Sequence, residues 1–174
     1  VPVKQQGPKP RVGWAGALQH HGDLRCLLDV VRDTAATVDW VFLGMCPEEL
    51  RPYIREFHPF VPLADYPAKL AGLHLDLAVA PLEANSFNEA KSNLRLLEYG
   101  ILAIPVVASN VYPYRDAPVK LVENTPAAWA EAIRERIHDL DATEREGQAL
   151  AQWVRTHFLL DRHLPAWLTA LTPT

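Results

Sequence analysis

Residues 87–109 read FNEAKSNLRLLEYGILAIPVVAS and join a helical pattern to a strand pattern. Apolar residues recur at helical spacing, and a continuous apolar run then extends to Ala108. We therefore predict a helix over Asn88–Ala103, followed by a buried strand over Ile104–Ser109. At about 100° per residue, this helix would carry an apolar stripe beside a charged face. The stripe consists of Leu94, Leu97 and Ile101, and the charged face of Lys91, Arg95 and Glu98.

Strand and helix patterns alternate on both sides of this stretch. Five further strands are predicted, over Val12–Ala17, Val38–Gly44, Pro59–Pro62, Leu75–Pro81 and Val119–Val122. Six further helices are predicted, over Asp23–Asp33, Glu48–Glu56, Tyr66–Leu73, Ala127–Asp139, Thr143–His157 and Leu164–Leu171. This alternation is typical of a parallel sheet with helices on both faces. We therefore predict an α/β, Rossmann-like, three-layer domain with a mainly parallel sheet of about six strands and C-terminal helices.

Composition excludes several classes of protein. The chain has 174 residues, of which 49% are hydrophobic and 22% charged, as is usual for a globular domain. Its formal net charge is −4 and it has no basic tract, so nucleic acid is not an expected partner. The longest apolar runs are too short to cross a bilayer, so no transmembrane segment is expected. Cys26 and Cys46 lack CxxC spacing, and we expect reduced, packed thiols in a cytoplasmic protein.

The two ends of the chain differ from the middle. Residues 1–10 are polar and rich in Pro and Gly, so we predict a linker there. Residues 11–158 form the predicted domain, and residues 159–174 a C-terminal helical tail. The tail region is more apolar than a free tail should be, and it should fold over its own domain or self-associate with another copy. The apolar residues concerned are Trp153, Phe158, Leu159, Leu160, Leu164 and Trp167.

Three loops should meet at one edge of the predicted sheet. They are residues 16–23 (GALQHHGD), 81–92 (PLEANSFNEAKS) and 109–118 (SNVYPYRDAP), and each follows a predicted strand. In parallel sheets, ligands bind at the carboxyl ends of the strands, near helix N-termini. None of the three loops has the GxGxxG or Walker pattern. A ligand site is therefore predicted at this edge without either of these nucleotide-binding motifs.

Two segments resemble a known enzyme family. The segment YGILAIPVVASN, preceded by LLE, resembles the Leu-Glu-x-x-x-x-Gly-x-Pro-Val-Val-Ala-Ser signature of retaining glycosyltransferases of GT-B architecture. The variant KSNLRLLEYG is similar to a family-4-like subset from bacterial surface-polysaccharide synthesis. RVGWAGALQHHGDL resembles the first strand and turn of the nucleotide-sugar-binding half of these enzymes. The resemblance runs from about Arg11 to about His138, so it covers the C-terminal, donor-binding half.

The resemblance implies catalytic roles for two residues. Glu98 corresponds to the second Glu of the family's Glu-x7-Glu motif and would accept hydrogen bonds from both ribose hydroxyls. Lys91 would stabilise the diphosphate as it leaves. Arg95 would support Glu98, and no metal or other cofactor is required. A glycan or lipid-linked acceptor would be bound by the other, N-terminal half, so the isolated domain should not transfer sugar.

A further set of residues is expected to bind the nucleotide-sugar donor. The two glycines of the 16–22 loop would let the backbone approach the phosphates or the sugar. His21 would replace the basic residues that the family places after the first strand. The complete set of expected substrate-binding residues is Gly16, Ala17, His21, Gly22, Asn88, Ser92, Asn93 and Arg95.

Three alternative interpretations remain open at this point. The charged face of the helix has the spacing of internal ion pairs, so it could be a solvated surface. A sugar-nucleotide epimerase of the same architecture would also bind a nucleoside diphosphate here. The third alternative is a catalytically silent nucleotide-binding or scaffold module. It is favoured by Ala90, which occupies the position of the motif's first Glu.

Overall fold

A computed structural model describes residues 9–172 of the chain, apart from the side chain of Gln19. Six strands form one sheet in which every neighbouring pair is parallel. The strands are β1 (Arg11–Gly16), β2 (Asp39–Gly44), β3 (Glu56–Pro59), β4 (Leu77–Ala80), β5 (Val106–Ser109) and β6 (Lys120–Val122). Their order across the sheet is β3-β2-β1-β4-β5-β6. The predicted six-stranded parallel sheet is confirmed.

Helices cover both faces of the sheet and make the fold three-layered. The α-helices are α1 (Leu28–Thr34), α2 (Tyr66–Ala71), α3 (Ser86–Glu89), α4 (Leu94–Ile101), α5 (Pro126–His138), α6 (Leu140–His157) and α7 (Leu160–Leu171). Side chains of α1 and α5 belong to one apolar cluster, and side chains of α2, α4 and α6 belong to another. Successive strand residues alternate between the clusters: Trp14 belongs to the first and Ala15 to the second. The prediction of a Rossmann-like three-layer domain is therefore confirmed.

The third strand lies earlier in the chain than predicted. It spans Glu56–Pro59 instead of Pro59–Pro62, and it pairs with β2. Proline has no backbone N–H to donate to a ladder, so the prolines mark the end of the strand better than its middle. The helix predicted over Glu48–Glu56 is a shorter 3₁₀ helix, Glu48–Tyr53, with Pro52 inside it. Both boundary predictions were wrong because the prolines were not treated as breakers.

The helix predicted over Asn88–Ala103 is broken in two. The side chain of Asn85 accepts a hydrogen bond from the backbone N–H of Asn88 and caps the four-residue α3, whereas α4 begins at Leu94. Lys91 lies in the segment between the two helices, so it does not share a helix face with Arg95 and Glu98 as predicted.

The prediction of which residues form the apolar stripe of this helix was also wrong. Leu94 and Ile101 are 57% and 41% exposed, whereas Leu96, Tyr99 and Gly100 form the buried face of α4. The contact with α6 explains the difference. A Cβ atom at position 100 would lie 2.7 Å from Val154 and 2.9 Å from Leu150. Gly100 therefore lets α6 pack closely on α4, and this contact selects the buried face.

The last helix, α7, has no buried residue. Trp167 is 58% exposed and Leu168 is 63% exposed. The first of the two expectations, that the tail folds over its own domain, was therefore wrong. The predicted linker, residues 1–10, lies almost entirely outside the described residues. None of the helices within residues 9–172 has the length and apolar character that a membrane crossing requires.

Candidate functional site

The chain reverses its direction of progress across the sheet between β1 and β4. It moves from β1 to β2 and β3 on one side and then crosses to β4, β5 and β6 on the other. The β1–β4 register includes Val12–Leu77 and Gly13–Ala78 and does not extend to Ala15. The backbone N–H of Ala15 donates instead to the Tyr99 hydroxyl, 2.9 Å away. A crevice at such a reversal point is the usual ligand site of doubly wound sheets.

One pocket at this carboxyl edge lies beside β4, and we call it the β4 pocket. Its volume is about 350 Å³. Three basic side chains, His20, Lys91 and Arg95, line it together with a single carboxylate, that of Glu98. Its remaining lining residues are Trp14, Ala80, Pro81, Leu82, Phe87, Ser92, Leu94 and Tyr114. The balance of charge suits an anion.

A second pocket lies over the ends of β1 and β2, and we call it the β2 pocket. Its volume is about 310 Å³, and Arg95 and Glu98 line it as well. The other lining residues are Gly16, Ala17, Leu43, Gly44, Phe60, Val61, Leu63 and Tyr66. Gly44 has a φ of +92°, and a Cβ there would lie 2.3 Å from the carbonyl oxygen of Gly16. The strand ends can approach this closely because residue 44 is glycine.

Arg95 and Glu98 stand where the two pockets meet. Arg95 Nη1 donates to Glu98 Oε2 at 2.9 Å and to the Tyr66 hydroxyl at 3.0 Å. The Tyr66 hydroxyl donates to the same Glu98 oxygen at 3.2 Å. The spacing of three residues on α4 does form an ion pair, as the sequence suggested. This pair is held between pockets and is not a freely solvated surface pair, with side chains 19% and 25% exposed.

Asp23 is the buried centre of the β4 side, and sequence reasoning missed it. Its carboxylate accepts hydrogen bonds from His20 Nδ1 at 2.8 Å, the backbone N–H of Glu83 at 2.8 Å and Asn88 Nδ2 at 3.1 Å. Lys91 Nζ lies 3.8 Å from its Oδ2. Burial raises the pKa of Asp23, but these hydrogen bonds and the charge of Lys91 outweigh burial, so the pKa lies below its usual value. Asp23 is therefore an ionised acceptor that ties the loop after β1 to the loop after β4.

The structure brings together most of the predicted site residues. Lys91, Ser92, Arg95 and Glu98 line the β4 pocket, and Gly16 and Ala17 line the β2 pocket. The space where a Cβ of residue 16 would lie is taken by the ring of Trp14, at 2.4 Å.

Four predicted site residues do not line either pocket. Asn88 is 3% exposed, and its side-chain amide donates hydrogen bonds to Asp23 and to the carbonyl of Glu83. Asn93 is the N-cap residue of α4, and Gly22 lies near Glu83. His21 is exposed, and its neighbour His20 faces the β4 pocket instead. The spacing His-x-x-Asp of His20 and Asp23 was the available signal for this pair.

Across residues 9–172, no group of three or more His, Cys, Asp or Glu side chains is close enough to hold a metal ion. The side chains at this edge are instead basic ones, the carboxylates of Glu98 and the buried Asp23, and aromatic or aliphatic walls.

The fold is shared with solved glycosyltransferase structures. The HepE protein of Anabaena, solved with UDP and glucose, matches with a TM-score of 0.69 at 16% identity over 94% of this chain and 49% of its own. The C-terminal domain of the group 1 glycosyl transferase LpcC of Francisella tularensis matches with a TM-score of 0.65 at 15% identity, over 87% of each chain. This chain has the fold of one half of a GT-B glycosyltransferase.

A third structure agrees on the extent of the match. The catalytic domain of a cholesterol-α-glucosyltransferase from Helicobacter pylori matches with a TM-score of 0.62 at 16% identity, over 85% of this chain and 98% of its own. The chain thus spans about half the length of HepE and nearly all of the separately solved domains. No protein-family profile and no curated protein sequence matches this chain.

Proposed function

We propose that this GT-B half binds a nucleotide-diphosphate sugar as the donor for transfer to a glycan or lipid-linked acceptor. We further propose that it belongs to a family-4-like enzyme of bacterial surface-polysaccharide synthesis. The observation that carries the proposal is the pair of adjoining pockets, of which only the β4 pocket adds His20 and Lys91 to the shared Arg95 and Glu98. A nucleotide-diphosphate sugar has the same division, because it joins a flat nucleobase to an anionic diphosphate through a ribose.

The β2 pocket suits the nucleobase. Phe60, Leu63 and Tyr66 in the β2 pocket offer aromatic and aliphatic surface on which a base can stack. Glu98, at the junction, would accept hydrogen bonds from the ribose hydroxyls. Arg95 and Tyr66 hold its Oε2, and no described side chain or backbone group donates a hydrogen bond to its Oε1. That oxygen is therefore available to the ribose.

The β4 pocket suits the diphosphate. Lys91, whose side chain is 27% exposed, would place a positive charge beside the phosphates, and Arg95 would add a second. Negative charge on the diphosphate grows as the bond to the sugar breaks. A fixed cation there stabilises the transition state more than the bound donor, which is how it would accelerate transfer. No step of this proposal requires a metal ion.

The acceptor site would come from a second half. Large apolar side chains stand exposed on the loops of the carboxyl edge: Leu18, Phe60, Leu63, Phe87, Leu94 and Tyr112. Several large apolar side chains exposed at one edge often mark a contact with another domain or ligand. A covering half would bury these side chains, exclude water and align the acceptor with the donor.

Two finer proposals concern the setting of the protein. We place it in the cytoplasm, because Cys26 and Cys46 are free and burial raises their pKa values to about 12 and about 11. Such thiols stay protonated and suit a reducing compartment. The exposed apolar face of α7 would be covered by self-association with another copy of the chain.

The activity is tested by analysing products from the chain joined to an acceptor-binding half, incubated with nucleotide sugars. Transfer of the sugar supports the proposal. An epimerised donor would support the epimerase alternative, and neither product would support a silent nucleotide-binding module. The 174 residues alone should bind the donor weakly, with a dissociation constant on the order of millimolar, and should not transfer sugar.

A further inference from the structure

His20 has one ring nitrogen committed to Asp23 and the other uncommitted. Nδ1 lies 2.8 Å from Asp23 Oδ2. Nε2 has no hydrogen-bond partner in the part of the chain that the structure describes, and the side chain is 22% exposed where it lines the β4 pocket. The ring also packs edge-on against Trp14, with 6.3 Å between centroids and 74° between planes. His20 is therefore held in one orientation.

Asp23 determines which nitrogen of His20 carries a proton. Its carboxylate is 5% exposed and ionised, because the His20, Glu83 and Asn88 hydrogen bonds stabilise the charged form. An ionised carboxylate only accepts hydrogen bonds, so Nδ1 of His20 must be the donor. In neutral His20 the lone pair is then on Nε2. In protonated His20 both nitrogens are donors.

A diphosphate bound in the β4 pocket would discriminate between these two forms. Its oxygens are acceptors, so a lone pair on Nε2 repels them, whereas an N–H on Nε2 donates to them. We infer that His20, oriented by Asp23, takes up a proton when the diphosphate of a nucleotide sugar binds. This inference rests on the proposed donor binding and adds a binding residue and a pH dependence to it.

The groups around His20 include charges of both signs. Besides Asp23 itself, the titratable groups that line the pocket with His20 or contact Asp23 are Cys26, Glu83, Lys91, Arg95, Glu98 and Tyr114. Asp23 lies against the ring at Nδ1, and the cations Lys91 and Arg95 line the same pocket as the carboxylate of Glu98. A bound diphosphate adds negative charge on the free side of the ring and favours protonation.

Calorimetry with UDP-glucose measures the proton uptake. This donor is bound in the HepE structure. Its diphosphate diester has no group that titrates near neutral pH, so any proton taken up on binding must bind to the protein. Titrations in two buffers of different ionisation enthalpy give the number of protons taken up. We expect net uptake by the parent and a fall in affinity from about pH 6 to about pH 8, at most about tenfold per pH unit.

Variants assign the uptake to a residue. His20→Gln should bind UDP-glucose more weakly, without proton uptake and with a flatter pH profile. His138→Gln removes an exposed histidine outside both pockets and should behave like the parent. Binding by the parent without proton uptake would overturn the inference, as would uptake retained in His20→Gln or lost only in His21→Gln. If the parent binds neither UDP-glucose nor the corresponding GDP and ADP sugars, the proposed function fails together with the inference.

The orienting role of Asp23 has a readout that does not need the ligand. In ¹⁵N NMR spectra of the free parent at alkaline pH, the His20 imidazole should be protonated on Nδ1. Asp23→Asn should shift the tautomer towards Nε2–H, because an amide can donate to Nδ1. If Asn at position 23 prevents folding, the parent spectrum still decides. A neutral His20 protonated on Nε2 in the parent would overturn the inference.

Discussion

The two pockets at the carboxyl edge share a wall and have similar volumes, and they differ in the basic side chains that line them. The β4 pocket is lined by three basic side chains, and its loops are joined through the buried Asp23. The β2 pocket has apolar walls and a floor where Gly44 meets Gly16. Arg95 and Glu98 belong to both. The proposed donor has its charge at one end in the same way, and the difference predicts which substitutions affect one pocket, the other or both.

The largest effect is expected at the shared wall. Glu98→Ala should lower the affinities for uridine and for UDP by the same factor, because the ribose is common to both. Loss of charge-assisted hydrogen bonds worth roughly 1.5–3 kcal/mol corresponds to about a tenfold to hundredfold weakening. NMR titrations measure both affinities. Glu144→Ala, an exposed position on α6, is the control, and unequal losses for the two ligands would break the assignment of Glu98 to the ribose.

The next largest effect is expected on the free energy of unfolding, through Asp23 beside the β4 pocket. Asp23→Asn should lower the free energy of unfolding at neutral pH by on the order of 2 kcal/mol, because it weakens a buried network. The folded-state pKa of Asp23 lies below the usual value of 3.8. Its ionised form therefore stabilises the fold above that value, and the contribution is lost as the pH falls through the folded-state pKa.

Urea unfolding of parent and variant at several pH values measures this difference. The gap between them should be widest near neutral pH and should close in acid. A gap that is independent of pH would mean that the charge of Asp23 does not stabilise the fold. Asp141→Asn, at an exposed position in the first turn of α6, is the matched control.

A smaller effect separates the pockets by charge. Lys91→Ala should weaken UDP binding about tenfold and leave uridine binding unchanged, because Lys91 would contact the diphosphate alone. It should also reduce the salt dependence of UDP binding. Lys120→Ala removes a lysine of β6 that lines neither pocket and serves as the control. Equal weakening of uridine binding would place the nucleoside in the β4 pocket instead.

The smallest effect is expected on the apolar side. Phe60→Ala should weaken uridine and UDP equally, by about fivefold, because it removes roughly 1 kcal/mol of stacking in the β2 pocket. Leu18→Ala, on the same edge but outside both pockets, should change neither affinity. The same NMR titrations apply. Weakening of UDP alone would show that Phe60 contacts the phosphate end.

The fold could be predicted from the sequence more fully than the site. Alternating apolar runs bounded by Gly and Pro indicate the strands, since burial on both faces of a parallel sheet leaves a local signal. The buried face of α4 leaves no such signal. Tyr99 is buried against the end of β1 and α6 packs on the neighbouring Gly100, so that Leu94 lies on the exposed side of α4.

The site depends on contacts between distant parts of the chain. Asp23 meets the backbone of Glu83, 60 residues away, so its role is not visible in either segment alone. The choice between His20 and His21 depends on the short 3₁₀ turn that ends at His20 and turns its ring towards Asp23. Glu98 and Arg95 could be placed at this edge from the sequence because a helical spacing and a family signature are both local patterns.

The central claim is that one ligand spans both pockets, with its ribose at Glu98. The most direct test is an NMR titration of the ¹⁵N-labelled chain, first with uridine and then with UDP. Uridine should shift the amide signals around the β2 pocket and Glu98. UDP should shift those same signals and also the signals of residues 20–23 and 88–95 around the β4 pocket. Identical shifts for both ligands, or shifts confined to residues outside the two pockets, would contradict the account.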